Sequence, residues 1–175
     1  MADVTEVGRL LHSLRGVWDE DVVDELDHAL QSAAHALADG ADDELVLAAA
    51  LHDLAHSPLF GDVASQHHDR VARDWLTPRF GERVGWLAGA HVAAKRYLAA
   101  TDPSYAATLS DVSVKSLHHQ GGAGTDPALV AHPWWADALR LRRFDDAAKV
   151  QDGAAVSIDD VLAIAERVLD QRFQR

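Results

Sequence analysis

At 175 residues with 48% hydrophobic side chains, the chain is long enough to bury a core without covalent staples. It has no cysteine, which excludes disulfides, thiolate metal sites, iron–sulfur clusters and a cysteine nucleophile. The formal charge of −12 argues against nonspecific binding to nucleic acid, yet a small anionic substrate stays compatible, because metal ions and a few lysines can make one site locally positive. In chain order, the apolar periodicity predicts helices over about Val4–Leu14 and Asp21–Leu37, the second stopping near Gly40. Asp42 or Asp43 caps a third, carrying Leu45, Ala48, Ala49 and His52 at helical spacing and ended by His56-Ser57-Pro58. A loop over Ser57–Asp62 precedes a helix from about Ser65 to Leu76, punctuated by Pro78. A longer helix, Glu82–Leu98, is expected to bend near Gly89, and Asp102-Pro103 marks a turn. Ser110 caps a helix that stops at Gly121-Gly122, followed by a loop to Asp126. Two helical pieces then fill Pro127–Lys149, parting near His132-Pro133, and Ser157 caps a last amphipathic helix to Phe173. The expected fold class is all-α, a single helical domain over 1–175. No basic leader and no stretch near the ~18 apolar residues of a membrane span is seen, so a cytoplasmic monomer or small homo-oligomer is expected.

Eleven histidines prove little by themselves, and chance supplies about one His-Asp dipeptide in such a composition. The set His28, His52-Asp53, His68, His91 and Asp145 is more telling, because every member falls in a predicted helix. Imidazole nitrogen suits iron, zinc or nickel, and a carboxylate can bridge two ions. Helices that project such residues inward build metal centres in their shared core. Without thiolates, an open catalytic centre is favoured over a structural zinc site. His52 and His56, His91 and Lys95, and Asp145 and Lys149 are each four apart, so each pair shares a helix face.

Several segments carry a family resemblance: Asp27-His28-Ala29-Leu30-Gln31, Ala48 through His56, His91 through Leu98, Gln120-Gly121-Gly122, and Leu141 through Lys149. Together, over about residues 18–150, they resemble the HD-domain diiron oxygenases, and within them the phosphonate-cleaving branch, more distantly related to myo-inositol oxygenase. The resemblance implies a compact HD-domain helical bundle and two irons in a mixed-valent Fe(II)/Fe(III) pair. One iron would be held by His28, His52, Asp53 and Asp145, the other by His68, His91 and a bridging Asp53. It further implies O2-dependent cleavage of the carbon–phosphorus bond of a small 1-hydroxyphosphonate to a carboxylic acid and phosphate. Lys95 and His56 would grip and orient the substrate, with Ser113, Ser116, Gln120 and Arg142 shaping the pocket.

The family's Tyr and Glu ahead of the first histidine, a gate displaced by substrate, are replaced here by Trp18 and Asp21. His67 adjoins His68 and competes with it as a ligand, the register before Trp75-Leu76 favouring His68. Two other functions stand beside the oxygenase. The same ligands serve a metal-dependent HD phosphohydrolase acting on a nucleotide or other phosphate ester through metal-bound hydroxide, and a noncatalytic helical module would use a metal only for structure. His12, His35, His118, His119 and His132 read as ordinary surface or core residues, the tryptophans as packing, and the acidic runs at 19–24 and 39–44 as helix starts and solvated faces.

Overall fold

Helix starts are written in the caps. Asp24, Asp42, Asp102, Ser110, Asp126 and Ser157 each accept a backbone N–H two or three residues on, which satisfies a donor that the first turn leaves orphaned. They open α2 (Glu25–Ala38), α3 (Asp43–Leu51), α6 (Pro103–Thr108), α7 (Asp111–His119), α8 (Pro127–Val130) and α10 (Ile158–Phe173). The remaining helices are α1 (Ala2–Ser13), α4 (His68–Phe80), α5 (Glu82–Thr101) and α9 (Trp135–Ala147). The computed structural model describes residues 2–19, 21–62 and 67–174, and these contain no strand. None of the described helices is long and apolar enough to cross a membrane.

α3 organises the core. Every residue from Leu45 to Leu51 is buried, so this helix is apolar all round and sits at the centre. α2, α5, α9 and α10 pack on it, α1 closes over α10 and α2, and α4 lies along α5. That last crossing is close because α5 has glycine where it meets α4. A Cβ at Gly85 would stand 2.0 Å from Thr77 Oγ1 and 2.9 Å from the Thr77 backbone nitrogen, and one at Gly89 would stand 2.9 Å from Arg73 Cβ. Gly89 therefore serves close helix approach within an unbroken α5.

Four boundaries differ from the sequence expectations. α2 begins at Glu25, not near Asp21, because Asp24 both caps the helix and accepts from Gly16 N–H and Arg15, folding the preceding segment back. α3 ends at Leu51, so His52 and Asp53 lie beyond its last turn. A 3-10 turn over Leu54–His56 follows, and a second over Pro58–Phe60 occupies part of the expected loop. Pro78 does not stop α4, because it removes one hydrogen bond near the helix end while Phe80 is fully buried two residues later. Asp102-Pro103 is a helix start, with Asp102 as cap and Pro103 at the first helical position, and opens the short α6. The expected start of α4 at Ser65 lies outside the described residues.

Candidate metal centre

Five elements converge on one buried cluster. α2 supplies His28 and the end of α3 supplies His52 and Asp53. His68 comes from the first turn of α4, His91 from the middle of α5, and Asp145 from α9. His28, His52, His68, His91 and Asp145 are all buried, and Asp53 is largely so.

The histidine tautomers follow from their partners. Nδ1 of His28 lies 3.0 Å from the Ala148 carbonyl, that of His52 2.8 Å from the Ala49 carbonyl, and that of His91 2.6 Å from the Ala88 carbonyl. A carbonyl oxygen can only accept, so each Nδ1 carries a hydrogen and each ring turns its Nε2 inward. This is how a metal-ligating histidine is oriented.

The inward atoms fall into two lobes that share Asp53. Its Oδ2 is 3.1 Å from His52 Nε2 and 3.6 Å from His28 Nε2. Asp145 completes this lobe, with Oδ1 3.5 Å from His28 Nε2 and Oδ2 3.4 Å from His52 Nε2. Asp53 Oδ1 turns the other way, 3.2 Å from His68 Nε2, 3.3 Å from His91 Nε2 and 3.8 Å from His56 Nε2. Donors about 2.1 Å from a common ion, at angles between octahedral and tetrahedral, stand roughly 3.0–3.4 Å apart. The separations of 3.1, 3.4, 3.2 and 3.3 Å fall within that spacing, and those of 3.5, 3.6 and 3.8 Å lie just beyond it. Two Nε2–Nε2 approaches, 3.4 Å for His28–His52 and 2.9 Å for His68–His91, bring pairs of ring nitrogens within reach of one common ion. Asp53 Oδ1 is also a buried oxygen without a hydrogen-bond partner. A buried acceptor left unsatisfied is costly, and a bound ion supplies what it lacks. The donor set therefore fits metal, and the groups His28/His52/Asp53 and Asp53/His56/His68 can each hold an ion.

The electrostatics agree. Burial opposes charge on Asp53, but His52, with the His68 and His91 rings beside it, holds its carboxyl well below the usual carboxylate range. Asp145, also penalised by burial, is held down by Arg142 and His52. Burial pulls His28 down to about 4, and His91 downward as well. His52 goes the other way: burial disfavours its cation, yet Asp53 and Asp145 raise its pKa well above the ordinary value. An entering metal ion would displace that proton.

Beside the cluster, Lys95 shares the His91 face of α5 and donates to Ser116 Oγ at 2.5 Å, and Ser116 in turn donates to the Ser113 carbonyl. Lys149 Nζ lies 3.4 Å from Ser113 Oγ and 3.8 Å from Asp145 Oδ1. A cavity of about 240 Å³ adjoins them, lined in part by Ser113, Asp146 and Lys149. His56 stands at the second lobe but on a 3-10 turn, so it meets Asp53 through a reversal of the chain and not along a continued helix face. Gln120 caps the end of α7 and lines a separate groove of about 610 Å³, with Arg70, Arg73 and Arg96. Arg142 is buried and turned onto Asp145, Asp146 and Tyr105. His67 is exposed, whereas His68 enters the cluster, and Trp18 and Asp21 are both exposed.

Sequence reasoning missed Glu25. It is buried one turn before His28, its Oε2 has no hydrogen-bond partner, and its pKa is raised well above the ordinary value by burial, with Asp53 and Asp19 adding to the effect. The spacing of three from His28 was the available signal, overshadowed by the adjoining acidic run at 19–24 read as helix start and solvated face.

A helical shell closed around a His-Asp pair, with further histidines from three other helices and a distant aspartate, defines an HD-domain metalloprotein. No protein-family model matches the chain. Among proteins of known name, it is 36% identical over 160 residues to a hydroxymethylphosphonate dioxygenase of Gimesia maris, covering 85% of this chain and 79% of that protein. It is 29% identical over 184 residues to a 1-hydroxy-2-(trimethylamino)ethylphosphonate dioxygenase (glycine-betaine-forming) of Leisingera caerulea, covering 95% of this chain and 93% of that protein. The chain belongs to the HD-domain oxygenases, in their phosphonate-cleaving branch, and is an oxygen-dependent oxidoreductase.

Proposed function

We propose that this protein uses O2 and a mixed-valent Fe(II)/Fe(III) pair to cleave the carbon–phosphorus bond of a small 1-hydroxyphosphonate, giving a carboxylic acid and phosphate. The observation that carries the reading is the division of Asp53 between two histidine lobes, which suits a carboxylate bridging two ions. His28, His52, Asp53 and Asp145 would hold one iron, and His68, His91 and Asp53 the other. When bound, the pair would supply O2 activation and a Lewis-acidic anchor for the substrate's hydroxyl oxygen.

The chain's own residues bind and orient. The Lys95 ammonium, fixed by Ser116, lies on the same face as His91 and offers a charge-assisted hydrogen bond to a phosphonate oxygen. Ser113 and Ser116 present hydroxyls from α7 beside it. His56, half-buried at the second lobe, is placed to hold a proton at its ring nitrogen next to the substrate. Family likeness would add Gln120 and Arg142, but Gln120 lines the separate groove and Arg142 is turned onto Asp145 and Asp146. The overall conversion balances without an external reductant, since one oxygen atom of O2 enters the carboxylate and the other the phosphate.

The test is iron analysis and EPR on purified protein, with and without a 1-hydroxyphosphonate, coupled to O2 uptake and phosphate release. About two irons per chain, a mixed-valent signal perturbed by the substrate, and equimolar O2 consumption and phosphate release are expected. Phosphate release from a phosphate ester under anaerobic conditions, with no turnover of any hydroxyphosphonate, would replace this reading with the phosphohydrolase.

A further inference from the structure

We infer that Arg142 is a positioning residue that holds Asp145 through its Oδ2 and so fixes how that carboxylate faces the iron pair, and that Tyr105 and Asp146 hold the clamp. This rests on the iron-pair reading above and goes beyond it, since family likeness places Arg142 among substrate contacts.

Arg142 lies on α9, three residues before Asp145 and four before Asp146, so both carboxylates share its helix face. All three of its guanidinium nitrogens are engaged. Nη1 donates to Asp145 Oδ2 at 2.6 Å, Nε lies 3.0 Å from Asp146 Oδ2 and 3.1 Å from Tyr105 Oη, and Nη2 pairs with Asp146 Oδ1. Tyr105, reaching in from α6, donates its own hydroxyl to Asp146 Oδ2 at 2.8 Å. A planar fork held at each nitrogen has little freedom to swing toward a substrate.

The consequence falls on Asp145. Its Oδ2 accepts from the guanidinium at 2.6 Å and also stands 3.4 Å from His52 Nε2, while Oδ1 stands 3.5 Å from His28 Nε2 and 3.8 Å from Lys149 Nζ. The clamp fixes the rotation of the carboxylate and draws electron density from the ligand. Outer partners of this kind set the orientation of a ligand and the affinity of the ion it holds. Tyr105 extends the clamp to α6, the short helix that leads into α7 and its Ser113 and Ser116.

The experiment uses the full-length protein and two substitutions, Arg142→Met and Tyr105→Phe. Three quantities are read: iron retained per chain against graded chelator, the EPR spectrum without substrate, and the separate values of KM and kcat. Arg142→Met is expected to weaken iron retention about 10–100-fold and to alter the substrate-free EPR spectrum, with KM of the iron-replete enzyme within a few-fold of wild type. Tyr105→Phe removes one hydroxyl that touches no candidate ligand, and should shift both metal readouts in the same direction by less. A large rise in KM with wild-type iron retention and an unchanged substrate-free spectrum would make Arg142 a substrate contact and overturn the clamp. Should Arg142→Met fail to fold, unaltered metal readouts in Tyr105→Phe overturn it equally. Wild-type protein that binds no iron overturns the iron-pair reading, and the clamp with it. Iron-replete wild type beside indifferent variants overturns the clamp alone.

Discussion

Replacing Lys95 by methionine should make the protein more stable and a poorer enzyme. The side chain is 4% exposed, and burial, reinforced by Arg142 and Lys149 against Asp145 and Asp146, lowers its pKa from 10.5 to about 8. A fall of that size corresponds to about 3 kcal/mol for holding the charge inside the fold. Because the folded pKa lies below the unfolded one, the penalty is fully present below pH 8, fades between about 8 and 10.5, and is absent above. Methionine keeps the volume and drops the charge. Ser116, deprived of its ammonium partner, still donates to the Ser113 carbonyl at 3.1 Å. At neutral pH, Lys95→Met should therefore gain about 1–3 kcal/mol, or a few degrees in Tm. A hydrogen bond to a charged group contributes about 1.5–3 kcal/mol, so its loss should raise KM for a hydroxyphosphonate about 10- to 150-fold. The wild-type KM should climb as pH passes 8, and that climb should vanish in the variant. Thermal melts at pH 7 and 10 with KM profiles from pH 6 to 9.5 read both effects. A variant that melts lower than wild type at pH 7 and keeps its KM would refute the reasoning, since Lys95 would then be a structural cation.

Asp53→Asn should cost iron in both lobes, whereas His28→Ala and His91→Ala should each deplete mainly one. Iron stoichiometry and loss of the coupled EPR signal separate these patterns, and an Asp53→Asn protein that keeps two irons would end the bridging assignment. Gly85→Ala should destabilise by about 1–3 kcal/mol, because the new methyl meets the Thr77 backbone as well as its mobile hydroxyl. Calorimetry should show the Tm falling by about 2–10 °C, and an unchanged Tm would mean that α4 and α5 can separate at no cost. The chain carries −12 while its proposed substrate is an anion, so encounter is opposed at long range. Moderate salt should raise kcat/KM by screening that repulsion, and a fall would show that local cations govern the approach instead.

The helical architecture was legible because local signals and tertiary packing point the same way. Asp42, Ser110 and Ser157 cap the helices that their positions announce, and the unbroken apolar run Leu45–Leu51 belongs to the helix buried on every side. Illegible features depend on partners distant in sequence. α6 exists because Asp102 caps it and Tyr105 is drawn in by Arg142 and Asp146, some forty residues on. The direction of Arg142 could not be read either, since an arginine near a ligand suits a substrate contact and a clamp equally until its three nitrogens are located. Gly89 was ambiguous for the same reason: only the neighbouring α4 distinguishes close approach from a bend.

The cluster carries this point furthest at His52 and Asp53. On a continued helix these neighbours would diverge by about 100°, and Asp53 would face one lobe at most. Instead α3 stops at Leu51, the His52 ring is tied to the Ala49 carbonyl, and Asp53 takes φ −103° and ψ 16°, outside the helical basin. That change of direction sends Oδ2 toward His28 and His52 and Oδ1 toward His68, His91 and His56. The periodicity that located the ligands therefore misplaces the one residue that joins them. A site that needs one carboxylate to face two ways is where a local helical rule should fail, and the failure here turns a His-Asp pair expected on a helix into the shared edge of two donor lobes.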